Sequence, residues 1–486
     1  MKEKENKALQ RQLSPINVWA LAFGCIIGWG SFVNPGKKFL PNSGVAGTAI
    51  AMILGAIVMI IIAYSYAYMV PKYPRAGGEY TFTKECFGKK TATYCGWFLV
   101  AAYLTNVPMN STAIGLIVDG IDGSADILKF GFHYAIAGFE VYLGEILLAS
   151  AILILFAFLN MWGVKKAGLV QTVLSMLLVT STVTLFIAVL CSDKMSPSNL
   201  TPIWGFDKNA ALQAGATGAE INSYARDGEM GILSAILATF AIAPWAYVGF
   251  DTIPQASEEF KFSYKKVIGI MVVAIAFGCF VYTSNNFVAA AVLQNWPDRV
   301  MAGEWVLLVA AEEMLGVFGK VLIGVAVSCA VLSGIMGFYL ASSRLMYSMA
   351  KDGCLPKIFG TIDEKYGTPR NAIIFCMIIS LSGPVLGREA LGWFVDMSAI
   401  GASMGFFFTS ASALRTLKRD SGCKPIIKVT AILGMIFSVV FMILQLIPIP
   451  GLDGVHFGKE SYIMLLVWIV IGVIFYSLKK KTIAKQ

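Results

Sequence analysis

The chain has 486 residues, 57% of them apolar and only 14% charged, with a formal net charge of +9. A soluble domain carries roughly 25% charged residues, so this composition excludes a water-clothed globule and leaves a lipid-embedded helical protein. The basic excess does not call for nucleic acid, because an inner leaflet rich in anionic lipid attracts the same side chains.

A bilayer crossing needs about 20 mostly apolar residues. Stretches free of Asp, Glu, Lys and Arg run over 12–36, 45–71, 91–118, 146–164, 167–192, 231–250, 267–297, 321–343, 371–387, 397–414, 429–452 and 461–478. They predict an all-α integral membrane protein with twelve transmembrane helices, since lipid offers an apolar 20-mer no other way to satisfy its backbone. The polar start, residues 1–15, precedes a full span without a small-residue cleavage site and reads as a cytoplasmic tail. With that end inside, the inner segments collect 27 Lys and Arg and the outer segments 10. The positive-inside rule then places both termini in the cytoplasm of a multi-pass protein, expected in the plasma membrane.

In chain order, the first span carries a break: Gly24-Cys25-Ile26-Ile27-Gly28-Trp29-Gly30-Ser31-Phe32-Val33-Asn34-Pro35-Gly36. Asn106 and Asn110 lie one turn apart in the third span, facing either a pathway or a neighbouring helix. Glu145, in the fourth, reads as a structural partner. The outer connections 119–140 and 193–230 are the long ones. The sixth span carries the second break, Ala243-Pro244-Trp245-Ala246-Tyr247-Val248-Gly249-Phe250-Asp251-Thr252-Ile253-Pro254. Glu258 and Glu259 follow at its inner end and are expected to pair with nearby lysines. Residues 298–320 predict a short amphipathic helix on the outer surface. Ser333 falls in the eighth span, Arg344 at its inner end and Asp396 in the tenth span.

Glycine costs about 1 kcal/mol and proline about 3 kcal/mol in a helix interior. Such breaks in the first and sixth spans, five spans apart, point to two inverted halves with a site at mid-membrane. A half-helix starting after Gly28-Trp29-Gly30 offers free N–H groups and its positive end to a carboxylate. Carbonyls near Ala243 to Ala246 can accept from an ammonium. A zwitterionic amino acid satisfies both. Asp251 is costly in a span and should face a pathway, where it titrates or pairs with a cation. The nine cysteines form no CxxC or CxxH pair, and His133 and His456 both fall in outer loops. No zinc site, cofactor or catalytic cluster is indicated, so no enzyme is expected.

Three stretches resemble the amino acid–polyamine–organocation superfamily of permeases. They are Gly28-Trp29-Gly30-Ser31-Phe32, Pro74-Arg75-Ala76-Gly77-Gly78-Glu79-Tyr80, and Ser342 to Lys357 followed by Lys365-Tyr366-Gly367-Thr368-Pro369. The resemblance covers essentially the whole chain. It implies a five-plus-five inverted repeat with discontinuous helices 1 and 6, the halves being 16–193 and 228–416, followed by accessory spans in 424–479. It also implies alternating-access transport of amino acids, by proton-coupled symport or exchange. The alternatives are a polyamine or organic-amine antiporter, a sodium-coupled symporter and, remotely, a non-transporting sensor. The substrate site so implied is Ile27, Gly28, Trp29, Gly30, Ser31, Phe32, Asn110, Ala243, Pro244, Trp245, Ala246 and Tyr247, with Asp251, Ser333 and Arg344 in coupling or gating. Asp251 stands where some antiporters of the superfamily carry a proton-linked glutamate, and Ser333 where a sodium-coupled relative supplies a hydroxyl. Trp29 replaces a residue that is often small, and Leu178 replaces a lysine of proton-coupled relatives.

Overall fold

A computed structural model describes residues 9–122, 126–136, 139–387, 390–420, 424–449 and 456–483. Half of the expected tail, with Arg388 and Cys423, lies outside the described residues. The first helix, α1 (Pro15–Ile26), starts at Ser14, whose side chain and Asn17 cap each other's backbone. Then come α2 (Gly30–Asn34), a π-helical turn (Pro35–Phe39) and α3 (Leu40–Met69). Pro35 has no N–H to give to Ser31, so the ladder shifts by one residue and Leu40 N–H reaches the Pro35 carbonyl. Gly44, at φ +58, turns the chain within α3, and a Cβ there would strike the Ile203 carbonyl at 2.3 Å.

The chain continues through α4 (Gly78–Phe87), α5 (Lys89–Asp122), α6 (Leu143–Met161) and α7 (Val164–Leu190). Outside the membrane helices are the short α8 (Lys208–Ala214) and a hairpin of β1 (His133–Ile136) and β2 (Phe139–Tyr142), with His133 opposite Tyr142. That hairpin departs from the helix-only expectation. Its position beyond the spans lets water satisfy the strand edges, which lipid cannot do.

Next come α9 (Glu229–Phe240), α10 (Ala243–Ala246), α11 (Val267–Val292), α12 (Trp296–Met301), α13 (Val306–Leu315) and α14 (Val317–Lys351). After it come α15 (Arg370–Ser380), α16 (Ser382–Leu386), α17 (Ala390–Arg419), α18 (Pro425–Leu446) and α19 (Lys459–Ile483). The amphipathic segment expected on the surface is α13, and it sits deeper. Val306, Leu307, Leu308, Ala310 and Ala311 are buried, and Val306 abuts Gly36 of the π turn.

Among the described residues, seven helical segments are long and apolar enough to cross a membrane: Gly30–Met69, Leu143–Met161, Val164–Leu190, Tyr264–Val292, Val317–Lys351, Ala390–Arg419 and Pro425–Leu446. Three shorter apolar helical segments, Pro15–Ile26, Glu229–Phe240 and Arg370–Leu386, accompany them. Their outward faces present Ile53, Leu155, Val173 and Ile436. Continuous exposed hydrocarbon of this kind suits lipid contact rather than water, and the chain is a multi-pass membrane protein. The last helix is clamped to α5 by stacked Trp97 and Trp468, 4.6 Å between centroids, each indole N–H donating to the other residue's carbonyl.

Polar contacts sort by end. At one end Lys84 meets Asp352, Lys72 meets Asp420 and Thr368 Oγ1 donates to the Met161 carbonyl. At the other, Gly218 N–H donates to Asp298 and Lys208 to the Val300 carbonyl. The Lys-rich segments predicted to lie inside thus gather together.

Candidate functional site

The first break is real and short. Ile27 turns extended (φ −98°, ψ 100°) and ends α1. Hydrogen bonding resumes with Ser31 N–H to the Gly28 carbonyl and Val33 N–H to that of Trp29, at 3.2 and 3.1 Å. The N–H groups of Gly28, Trp29 and Gly30 lie outside the ladder, at the positive end of the restarted helix. Carbonyls freed on the far side are claimed by side chains. Asn285 Nδ2 donates to Ser31 at 2.9 Å and Trp305 Nε1 to Phe32 at 2.8 Å.

The second break has two parts, a short interruption between Phe240 and Ala243 and a wider one below α10. Proline is tolerated in the first turn of a helix, and α10 forms around it. The carbonyls of Ala243 and Trp245 are taken by Tyr247 and Val248 N–H, and unwinding is centred on Gly249 at φ +144. Below it the chain runs in 3₁₀ turns to Glu259.

The two breaks touch. A Cβ on Gly249 would lie 2.5 Å from the Ile26 nitrogen and 2.8 Å from the Ala22 carbonyl oxygen, so backbone meets backbone. The Trp245 indole is seated on Gly30, its Cη2 2.4 Å from where a Cβ would stand. Asn110 fills the notch between Gly28 and Gly334. Its Nδ2 donates to the Asn106 carbonyl, while Oδ1 is buried without a donor, 3.2 Å from the Cβ position at Gly28. Such an orphaned acceptor is expensive to bury, and it faces the break. Ile27, Phe32, Ala243 and Ala246 are buried around this junction, and Trp29 is buried with its indole N–H unpartnered. Ser31 Oγ caps the Gly28 carbonyl at 2.9 Å.

Other sequence candidates point elsewhere. Tyr247 donates to the Met52 carbonyl on α3 at 2.7 Å, and Asn106 ties α5 to Ser398 of α17 at 2.6 Å. Ser333 Oγ donates within its own helix to Ala330 at 3.0 Å and lies 3.3 Å from the Gly24 carbonyl. Leu178 is fully buried hydrocarbon; α7 grips α1 instead through Gln171 and Ser175, both on the Ala20 carbonyl at 3.0 Å. Asp396 accepts from Ser461 at 2.6 Å, and Glu145 caps the start of α6 through Tyr142 N–H.

Towards the Lys-rich end lies a polar network. Asp251 accepts from Gly249 N–H at 2.7 Å and lies 2.9 Å from the Tyr103 hydroxyl. That hydroxyl is also 3.1 Å from Glu79, which accepts from Tyr66 at 2.9 Å and Gln255 at 2.6 Å. Burial first, and the Asp251 carboxylate second, hold Glu79 of α4 well above the usual carboxylate range. Further along, Glu259 is paired with Arg344 at 2.8 Å, both side chains 1% exposed. Among the described residues the expected pairing of Glu258 and Glu259 with lysines is not found: buried Glu259 takes the bidentate guanidinium, and Glu258 accepts from Ala76 N–H. Beside this pair the Glu259 carbonyl accepts from the Gln12 and Leu13 N–H groups.

Glu79, Tyr66, Tyr103 and Gln255 were not singled out by the sequence. The available signal was Gly77-Gly78, both at positive φ, which turn Glu79 at the start of α4 into the core.

A helical membrane bundle whose two interrupted helices meet at mid-chain glycines has the build of a permease. The chain matches the amino acid permease family over residues 13–475 and belongs to it; this is a family of transporters within the superfamily whose motifs it carries, not of enzymes. It is similar to the large neutral amino acids transporter small subunit 2 of Homo sapiens, 26% identical over 77% of this chain. The match spans 64% of that relative's length. Two Bacillus subtilis proteins are matched almost end to end. The branched-chain amino acid permease BcaP is 24% identical over 99% of this chain and 95% of its own length. The methylthioribose transporter is 23% identical over 98% and 95%.

Proposed function

We propose that this protein is a secondary active transporter of neutral amino acids across the plasma membrane, working by alternating access. The observation that carries the reading is the contact of the two breaks. Free N–H groups at Gly28 to Gly30 suit a substrate carboxylate, and the orphaned Asn110 Oδ1 beside them suits an ammonium. Ile27, Phe32 and Trp245 supply apolar walls. Asp251 is engaged by Gly249 N–H and Tyr103, which favours a neutral substrate over a polyamine and leaves the carboxylate a coupling role. The names of the large neutral and branched-chain relatives agree.

Twelve crossings account for the helices: α1 with α2, α3, α5, α6, α7, α9 with α10, α11, α14, α15 with α16, α17, α18 and α19. The halves 16–193 and 228–416 each open on a broken helix, which supports an inverted repeat, with α18 and α19 in 424–479 accessory. The 27 to 10 charge bias supports cytoplasmic termini. The coupling ion in this reading is the proton. Ser333 Oγ is spent on carbonyls of its own neighbourhood, which speaks against a sodium site built on it.

The deciding experiment is uptake into proteoliposomes of leucine, methylthioribose and putrescine, with an imposed pH or sodium gradient. Leucine accumulation driven by the pH gradient is expected. Putrescine accumulation alone would replace the neutral reading with the amine one. Methylthioribose accumulation without leucine would move the substrate to that of the Bacillus relative, and no flux or exchange of any amino acid would sink the proposal.

A further inference from the structure

Two carboxylates, Glu79 and Asp251, are fully buried on either side of one hydroxyl. No ion pair among the described residues includes either of them. The titratable groups facing Glu79 are Tyr66 from α3, Tyr103 and Cys95 from α5, and Asp251 itself; those facing Asp251 are Glu79, Tyr66, Tyr103 and, from α1, Cys25. The buried guanidinium of Arg344 is committed to Glu259.

A tyrosine hydroxyl has one proton to give. Tyr103 lies within hydrogen-bond distance of Glu79 Oε1, at 3.1 Å, and of Asp251 Oδ2, at 2.9 Å. If both carboxyls were ionised, Tyr103 could donate to one and would turn an oxygen lone pair towards the other. Two unpaired charges would also share a dry site. One added proton removes both conflicts. Either Glu79 donates to Tyr103, which donates to Asp251, or the whole chain of donation reverses. In the interchange Glu79 gives its proton to the tyrosine oxygen as Tyr103 passes its own to Asp251, so one proton moves and no net charge is created.

We propose that Glu79, Tyr103 and Asp251 form a one-proton site, and that its proton is the one exchanged with the cytoplasm during transport. The second clause rests on the transport reading above; the first does not. The location fits the task. Asp251 holds Gly249 N–H at the break of the sixth helix, and Glu79 belongs to α4, at the Lys-rich end. Glu79 also accepts from Gln255, below the break. Moving α4 away opens the site to water on that side, and the residence of the proton biases which half of the contact is tight.

The test uses the full chain in nanodiscs and pH-dependent infrared difference spectroscopy of the carboxylic-acid carbonyl stretch. Wild type is expected to titrate one such group at this site. Glu79→Gln and Asp251→Asn should each remove it, and the double variant should look like either single one. Independent halves lost separately in the two single variants, or a band untouched by Glu79→Gln, would overturn the one-proton site. Melting temperatures near wild type establish that the variants fold, and Tyr103→Phe serves as a second route. It keeps the ring and should split the shared titration into two. In proteoliposomes, a one-unit pH gradient adds about tenfold to leucine accumulation for one coupled proton. Both single variants should lose that factor while leucine counterflow persists. Retained pH-driven accumulation in Glu79→Gln would refute the coupling role even if the infrared result held. Absence of leucine flux in wild type would instead count against the transport reading, with the spectroscopy still deciding the proton site.

Discussion

Replacing Gly30 with alanine tests whether the two breaks bear on each other. The new Cβ would stand 2.4 Å from Trp245 Cη2, 3.1 Å from its Cζ2 and 3.0 Å from Asn34 Nδ2. Carbon atoms rest at about 3.5–4.0 Å, so the six-membered ring must retreat by roughly 1.1–1.6 Å. An indole is rigid, and the retreat has to come from its χ angles or from α10 as a whole. Overpacking of this size costs about 1–3 kcal/mol. Set against the packed junction of Gly30 and Trp245, that is about 5- to 150-fold in its population. Thermal unfolding with and without leucine, and the leucine Kd, read the effect. Gly30→Ala should lower the melting temperature and weaken leucine binding, and adding Trp245→Phe, whose ring reaches less far, should recover at least half of the loss. A Gly30→Ala protein with wild-type stability and affinity, or a double variant as damaged as the single, would show that the contact does not carry the junction.

The buried Arg344–Glu259 pair predicts an asymmetric outcome. Arg344→Gln strands a buried charge and should cost about 3–5 kcal/mol, whereas the double Arg344→Gln, Glu259→Gln should recover most of it; equal unfolding midpoints for the two proteins would contradict this. Glu79 also makes a stability prediction. Its carboxyl moves from the ordinary 4.5 up to about 8 on folding, so the folded chain holds the proton more tightly and this group's contribution is full below 4.5 and falls as pH rises towards 8. Glu79→Gln cannot titrate, so its melting temperature relative to wild type should improve between pH 5 and 8; a constant gap would refute the assignment. At the surface, Lys72 and Tyr68 together hold Asp420 below the usual carboxylate range, Lys72 foremost. Solvent screens an exposed pair of this kind, so Lys72→Ala should barely move the unfolding midpoint, and a large drop would mean that the contact is structural.

What could be read from the chain was what one-dimensional chemistry fixes. Charge-free stretches marked a helical membrane protein, and paired Gly-rich interruptions marked the two broken helices. The second interruption falls inside the stretch read from Ala243 to Pro254: α9 gives way to α10 just before Pro244, and Gly249 unwinds the chain below it. The β hairpin was overlooked because membrane logic recognises only helices, whereas β1 and β2 stand outside the long apolar helices. Glu79 was the largest omission. It sits in a polar stretch, Arg75-Ala76-Gly77-Gly78-Glu79-Tyr80, that reads as solvated loop, and only the packing of α4 under α3, α5 and α17 buries it. Glu259 was matched with lysines for a similar reason, since Arg344 is 85 residues away along the chain.

Gly249 lets the sixth helix rest its bare backbone on that of α1, with no side chain between them. Side chains act as springs: they change rotamer and absorb small displacements. Here there is none, so a shift of one interrupted helix is passed to the other almost undiminished, like two gear teeth in mesh. The position where this helix is locally weakest is therefore also its stiffest coupling to α1.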